Sequence, residues 1–353
     1  MVWARLRKVF FTDWRQTATW LMAVVMLALV AGYGWRTLFV KATGPVTLVV
    51  YAFSTQEEVL TQRIFPGFEQ AWEAETGRDV TIAAVFGPSG TLAGQINLGA
   101  PADVVILSSE QHINWLKIGR RVQSHTRPVV VSQTPMVIVV RPGNPANIAD
   151  FADLTRPGLA LVHANPRSSG AGDWAVLAEY GSKLLETNST AAAQGQLEDI
   201  WHNVRLMAPS ARAALTLFEL GAGDALVTYE QDARLALDRG VKLEIVTPPQ
   251  TMLAQHVAVM IDSNLTRLEE PAARALVNYL SGEAGQQAMA HYHLRPVIRP
   301  AAGFPALGHT FTVTDLGGWP NAYVGVIENL WQQAIEPRIN LESTINLLPA
   351  KGE

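Results

Sequence analysis

LALVHANPRSSGAGDW, residues 159–174, carries an apolar strand-like run into a turn of small polar residues and then into a stretch of good helix formers. Serines, glycines and an alanine at the start of a helix leave several backbone N–H groups uncovered at its positive end, and such an end attracts anions. Taken alone, the stretch reads as a serine N-cap on an ordinary surface helix. Two recurrences set it apart. FGPSGTLAGQINLG (86–99) runs from a Gly-Pro-Ser-Gly turn into Leu92, Ile96 and Asn97 at helical spacing, and APSARAALTLFELGAGDALV (208–227) opens on Pro209 and Ser210, with Leu215, Leu217 and Phe218 expected inside and Gly221 at the end. Three such openings can point their N–H groups at one oxyanion.

Around these turns, strand-like and helix-like stretches alternate. VTLVVYAF (46–53) leads into EEVLTQRIFPGFEQAWEAETG, where Leu60, Ile64, Phe68 and Trp72 recur at helical spacing before Gly77. VTIAAVF (80–86) and ADVVILS (102–108) follow, each beside a predicted helix. The alternation predicts parallel sheet with crossover helices. PMVIVVRPGNP (135–145) reads as a connection into a second unit built from LALVHANP, NVRLM (203–207), DALVTYEQDA (224–233) and KLEIVTP (242–248), while HVAVMID (256–262) returns the chain to the first. Two α/β lobes joined by crossing strands set a cleft between the carboxyl ends of their strands. Residues 267–290 read as a helix, a break and a second helix, and VIENLWQQAI near the end as a capping helix before a loose tail.

The 353 residues and 48% hydrophobic content suffice for one large or two medium domains. A net charge of −4 provides no general basic field for nucleic acid. The absence of cysteine excludes disulfides, thiolate metal sites and cysteine nucleophiles. At the N-terminus, Arg5, Arg7, Lys8 and Arg15 precede an uncharged run, 16–35, with the apolar core TWLMAVVMLALVAG at 19–32. This is an export signal or a signal anchor with its basic end in the cytoplasm, so the body is expected in the periplasm. The run is long enough to span a bilayer, and the small-x-small sites at Val30–Gly32 and Ala42–Gly44 are poor; both favour an uncleaved anchor over residues 17–35, with Trp14, Trp20, Tyr33 and Trp35 at the interfaces.

The stretches VTLVVYAFSTQEE, GPSGT (87–91), ADVV (102–105), VRPGNP (140–145), NPRSSGAGDW, SARAA (210–214), GAGDALVTYEQDA (221–233), EIVTP (244–248), RPV (295–297) and DLGGW (315–319) occur together in one order. In that order and spacing, from about residue 46 to about residue 342, the chain resembles the periplasmic sulfate- and thiosulfate-binding proteins of ABC importers. The resemblance implies a type II periplasmic-binding-protein fold that closes over a dehydrated oxyanion held by main-chain N–H groups, a serine hydroxyl and an indole, with no cation beside it. The expected organisation is residues 1–45 as signal or anchor, 46–138 and 252–340 as a discontinuous first lobe, 139–251 as the second and 341–353 as tail. The implied donors are the amides near Phe53 and Ser54, Ser89, Ser169 with its hydroxyl, the amides of Gly170 and Ala171, and the amide of Ala211.

Three positions depart from the family. Phe53 stands where the family usually carries an acidic residue, Ala171 replaces a second glycine, and Tyr229 takes the place of the indole donor. A phenol can accept a hydrogen bond where an indole cannot, which opens the pocket to a protonated oxyanion such as phosphate. The expected function is capture of sulfate or thiosulfate for ABC permease subunits; the alternative is a membrane-tethered sensor or assembly protein with an altered ligand. No nucleophile–base pair suggests an enzyme, and no cofactor or metal is expected, since His291 and His293 have no acidic residue near them in sequence. Arg212 is expected to stabilise the cleft, face solvent or touch the anion, Arg167 to be a solvated helix-entry residue, and Glu230 and Asp232 to serve as charges at a helix start.

Overall fold

The computed structural model describes residues 44–298 and 303–339, together with Met22 and residues 24–28, which are helical. The proposed anchor otherwise lies outside the described residues, as does the tail from residue 340. Among the described residues no helix is long and apolar enough to cross a membrane. Residues 1–44 and 45–353 form separate compact units.

The strands of the second unit are β1 (Val46–Phe53), β2 (Val80–Gly87), β3 (Val104–Leu107), β4 (Val129–Val140), β5 (Leu161–Ala164), β6 (Val204–Ala208), β7 (Ala225–Tyr229), β8 (Glu244–Val246), β9 (Gln250–Met260) and β10 (His309–Phe311). They lie in the order β2-β1-β3-β9-β4-β7-β5-β6, with β8 on β4 and β10 on β9. The expected parallel pairing holds for β1 with β2 and β3, and for β5 with β6 and β7. It fails at the strands that pass between the halves. β9 runs antiparallel to β3 and β4, and β4 antiparallel to β7, because a strand returning without a crossover helix can enter only the other way round. β4 belongs to both halves: Val129–Pro135 pairs with β9, and Met136–Val140 pairs with β7.

The helical stretch after β1 shows how local chemistry sets the geometry. Leu60, Ile64, Phe68 and Trp72 are buried as their spacing predicts. Pro66 cannot donate to the preceding turn, and the chain meets this with a wide π turn at Leu60–Ile64 before the helix Phe65–Thr76. Gly77 closes it at φ 66°, with its N–H donating to Glu73 O at 2.8 Å. Leu215 and Phe218 of the helix Ala211–Glu219 are buried, whereas Leu217 is only half-buried at the edge of the same cluster.

The expected pair of late helices is Glu270–Ser281 and Glu283–His291, split at Gly282. The final helix, Pro320–Ile335, begins earlier than expected and is π-wound throughout. Trp331 packs edge-on to Trp201 at 4.9 Å, and Trp319, just before that helix, packs on Trp174 at 5.1 Å. The terminal segment is thereby fixed beside the Ser-Ser-Gly turn.

Candidate functional site

Six strand ends converge on one small cavity. β1 delivers Phe53, Ser54 and Thr55; β2 delivers Pro88 and Ser89; β3 delivers Ser108; β5 delivers Ser169, Gly170 and Ala171; β6 delivers Ser210 and Ala211; and β7 delivers Tyr229. All eight residues singled out from the sequence line it. Thr55, Pro88, Ser108 and Ser210 complete the wall. Carboxyl ends of parallel strands are where an α/β sheet opens a crevice, and the β1–β2 register, Phe53 opposite Gly87, brings the first two turns side by side. The cavity is far smaller than the ~300–1,000 Å³ of pockets for drug-sized ligands. It suits a small ion.

Helices begin at the wall, at Ser89, Gly170, Ala211 and Glu230. Their caps differ in an informative way. Ser210 Oγ accepts the N–H of Ala213 at 3.1 Å, a normal cap. Pro88 and Tyr229 make no side-chain cap, and Ser169 sits at its N-cap position without its hydroxyl accepting any amide. The Ser169 hydroxyl and the first amides of the Gly170 helix therefore remain available to something in the cavity.

Hydroxyl groups dominate the wall and no charged side chain joins it. Thr55 Oγ1, Ser108 Oγ and Tyr229 Oη are buried and have no hydrogen-bond partner of normal geometry. Burial pushes the Tyr229 phenol well above its ordinary pKa, with the adjacent Ser108 hydroxyl pulling the other way, so the phenol keeps its proton. Just behind the wall, Asp173 lies 3.8 Å from His112 Nε2, both fully buried. Burial raises the Asp173 carboxyl well above the carboxylate range and lowers His112 to about 3. Burial thus works against charge on either member of the pair beside this helix end.

Contacts across the cavity hold it shut. Gly90 N–H donates to Ser168 O at 3.0 Å, Gln231 Nε2 donates to Thr55 O at 3.0 Å, and Trp174 Nε1 donates to Ser108 O at 2.8 Å. A β-carbon on Gly90 would come within 2.9 Å of Ser168 O, so only glycine lets these turns meet. Arg212 is not part of the cavity wall. It is a latch instead: Nη2 reaches Glu58 Oε2 at 2.8 Å and Asp232 Oδ1 at 3.2 Å.

The other charged residues singled out in the sequence also find protein partners. Arg167 forms a half-exposed pair with Glu336 at 2.6 Å, and Glu230 lies between Arg234 and Arg295, each at 2.9 Å. His293 meets Asp238 at 2.6 Å, an acidic neighbour that sequence spacing does not reveal. Sequence reasoning misses Ser108 because no glycine or proline adjoins it. Its place immediately after β3 is the usable signal, since Ser54 holds the equivalent place after β1.

A mixed α/β fold whose strand ends meet at a small cavity of hydroxyl groups and helix starts, lined by no charged side chain, has the arrangement of a solute-binding site. The bacterial extracellular solute-binding protein family model matches residues 48–295, and the chain belongs to that family. It is 31% identical over 286 residues to a sulfate-binding protein of Synechococcus elongatus, covering 78% of this chain and 81% of that one. A thiosulfate-binding protein of Pseudomonas aeruginosa is 28% identical over 273 residues, covering 72% and 81% respectively. Among solved structures, the sulfate-binding protein SubI of Mycobacterium tuberculosis superposes with a TM-score of 0.72 at 29% identity, over 80% of this chain and 98% of that one. The fold is accordingly the periplasmic-binding-protein fold, and the family works outside the cytoplasm.

Proposed function

We propose that the protein captures an inorganic tetrahedral oxyanion, sulfate or thiosulfate, and delivers it to the permease subunits of an ABC importer. The observation that carries this reading is the cavity at converging helix openings, lined by no charged side chain, where buried hydroxyls lack hydrogen-bond partners and the helix opening at Gly170 has no side-chain cap. In a dry cavity such dipoles hold an anion strongly without a countercharge. The sulfate- and thiosulfate-binding relatives support the same ligand class. The donors are the amides near Phe53 and Ser54, Ser89, the Ser169 hydroxyl, the amides of Gly170, Ala171 and Ala211, and Tyr229. Residues 46–138 with 252–340 act as one lobe and 139–251 as the other, with β4 and β9 as the hinge. Calorimetry of the protein against sulfate, thiosulfate, phosphate and molybdate tests the reading: sulfate or thiosulfate should bind, and no binding at millimolar concentration would contradict it.

The apolar run at 17–35 tethers the body to the inner membrane, which raises its effective concentration at the permease. Mass spectrometry of protein from the native host should find the N-terminal segment retained. A mature start near Tyr33 or Trp35 would remove the tether and leave the binding function standing.

A further inference from the structure

We infer that Ser108 and Tyr229 form an acceptor corner that lets the cavity hold a tetrahedral oxyanion still bearing a proton, of the monohydrogen phosphate class, as well as fully deprotonated ions. This deepens the oxyanion reading and rests on it.

The Ser108 peptide is clamped on both sides while its hydroxyl is left free. Its N–H donates to Ser89 Oγ at 3.0 Å, and its carbonyl accepts from Trp174 Nε1 at 2.8 Å. The hydroxyl fills the space where Gly170 lacks a side chain, which places it against the opening of the Gly170 helix. Tyr229 is fixed by its ring. It packs edge-on to Phe53 at 6.4 Å and His256 at 5.3 Å, and those two contact each other at 4.6 Å. Both residues are 1% exposed, both line the cavity, and neither hydroxyl has a hydrogen-bond partner of normal geometry.

The carbonyls of Thr55, Ser108 and Ser168 already accept from Gln231, Trp174 and Gly90. Backbone amides only donate, whereas each hydroxyl donates once and can accept. Facing a fully deprotonated ion, Ser108 and Tyr229 both turn their hydrogens toward it. Facing a hydrogen-bearing ion, one of the two hydroxyls accepts the ligand O–H while the other donates to a second ligand oxygen. In a cavity of donors alone the ligand O–H would be buried without a partner, which weakens binding roughly 5- to 150-fold.

The test is calorimetry of the full-length protein with sulfate and with inorganic phosphate at mildly alkaline pH, where phosphate is chiefly the monohydrogen dianion. The unaltered protein should bind both ions. Ser108→Ala should lose at least about tenfold more affinity for phosphate than for sulfate. Tyr229→Phe, which keeps the ring contacts, should act in the same direction and serves if the first variant folds poorly. Binding of sulfate without phosphate, or equal losses for the two ions in the variants, would overturn the acceptor corner and leave the oxyanion reading intact. Binding of neither ion would overturn both.

Discussion

Gly170 has no room for a side chain because the Ser108 hydroxyl occupies the place its β-carbon would take. The two residues belong to turns after β5 and β3, far apart in sequence, and their fit closes the cavity wall. Gly170→Ala should therefore leave each half folded but hold the turns apart. Oxyanion affinity should fall by about 100-fold or more, the equivalent of two lost hydrogen bonds to charge, with little change in the circular dichroism spectrum. Binding within a few-fold of normal would show that the closed contact is dispensable.

Ser169 and Ser210 occupy the same position at two helix starts yet act differently, since only Ser210 caps its helix. Ser169→Ala should weaken oxyanion binding by roughly 1.5–3 kcal/mol with little loss of stability. Ser210→Ala should lower unfolding stability by about 0.5–2 kcal/mol through the lost cap. Paired calorimetry and urea titrations distinguish them, and an exchange of the two effects would reverse the assignment of ligand and cap.

These contrasts mark the limit of what sequence displays. The strand, turn and helix at 159–174 are one local unit, so periodicity and small residues suffice to place Ser169, Gly170 and Ala171, and the same holds for Ser89 and Ala211. Tyr229 and Phe53 are reached only through the family resemblance, because nothing local distinguishes them from core aromatics. Ser108 has no glycine or proline beside it, and its free hydroxyl becomes meaningful only when Gly170 is packed on it. The latch between Arg212 and Glu58 spans 154 positions, and the division of β4 between two partners depends on strands distant in sequence. Neither has a periodic signature. The antiparallel pairing of β3 with β9 is likewise hidden, since strand composition reports burial and not direction.

Arg212 is the basic partner of Asp232, whose carboxyl is wholly buried and raised to about 6 by that burial even with Arg212 pulling it down. Arg212→Gln should cost about 3–5 kcal/mol of stability near neutral pH, because it leaves a buried carboxylate uncompensated. Adding Asp232→Asn should recover a large share of that loss, read as coupling in a double-mutant cycle of urea unfolding. A cost below about 1 kcal/mol for the single variant would argue against the latch.

Acid should weaken the fold through its buried histidines. His256, between Phe53 and Tyr229, is lowered by burial from 6.5 to about 3, as is His112. The folded form excludes their protons, so this contribution is complete above 6.5 and is lost as pH falls toward 3. Asp232, raised from 3.8 to about 6, acts oppositely: its contribution is present below 3.8 and fades as pH rises through 6. Asp173, also raised, has the same sign as Asp232. His256→Gln isolates one histidine from this sum. The stability advantage of the unaltered protein over that variant should shrink between about pH 7 and about pH 5, measured by urea midpoints. An advantage that does not change with pH would contradict the neutral, buried imidazole.

The central claim is that the cavity enclosed by Ser89, Ser108, Ser169, Gly170, Ala171 and Tyr229 is an oxyanion site. The most direct measurement is an anomalous difference map from crystals grown with selenate, a tetrahedral ion whose heavy atom reports its own position. The account predicts a single strong peak inside that cavity, within hydrogen-bonding reach of the Gly170 and Ala171 amides and the Ser169 hydroxyl. An empty cavity in saturated crystals, or a selenate bound only elsewhere on the protein, would contradict it.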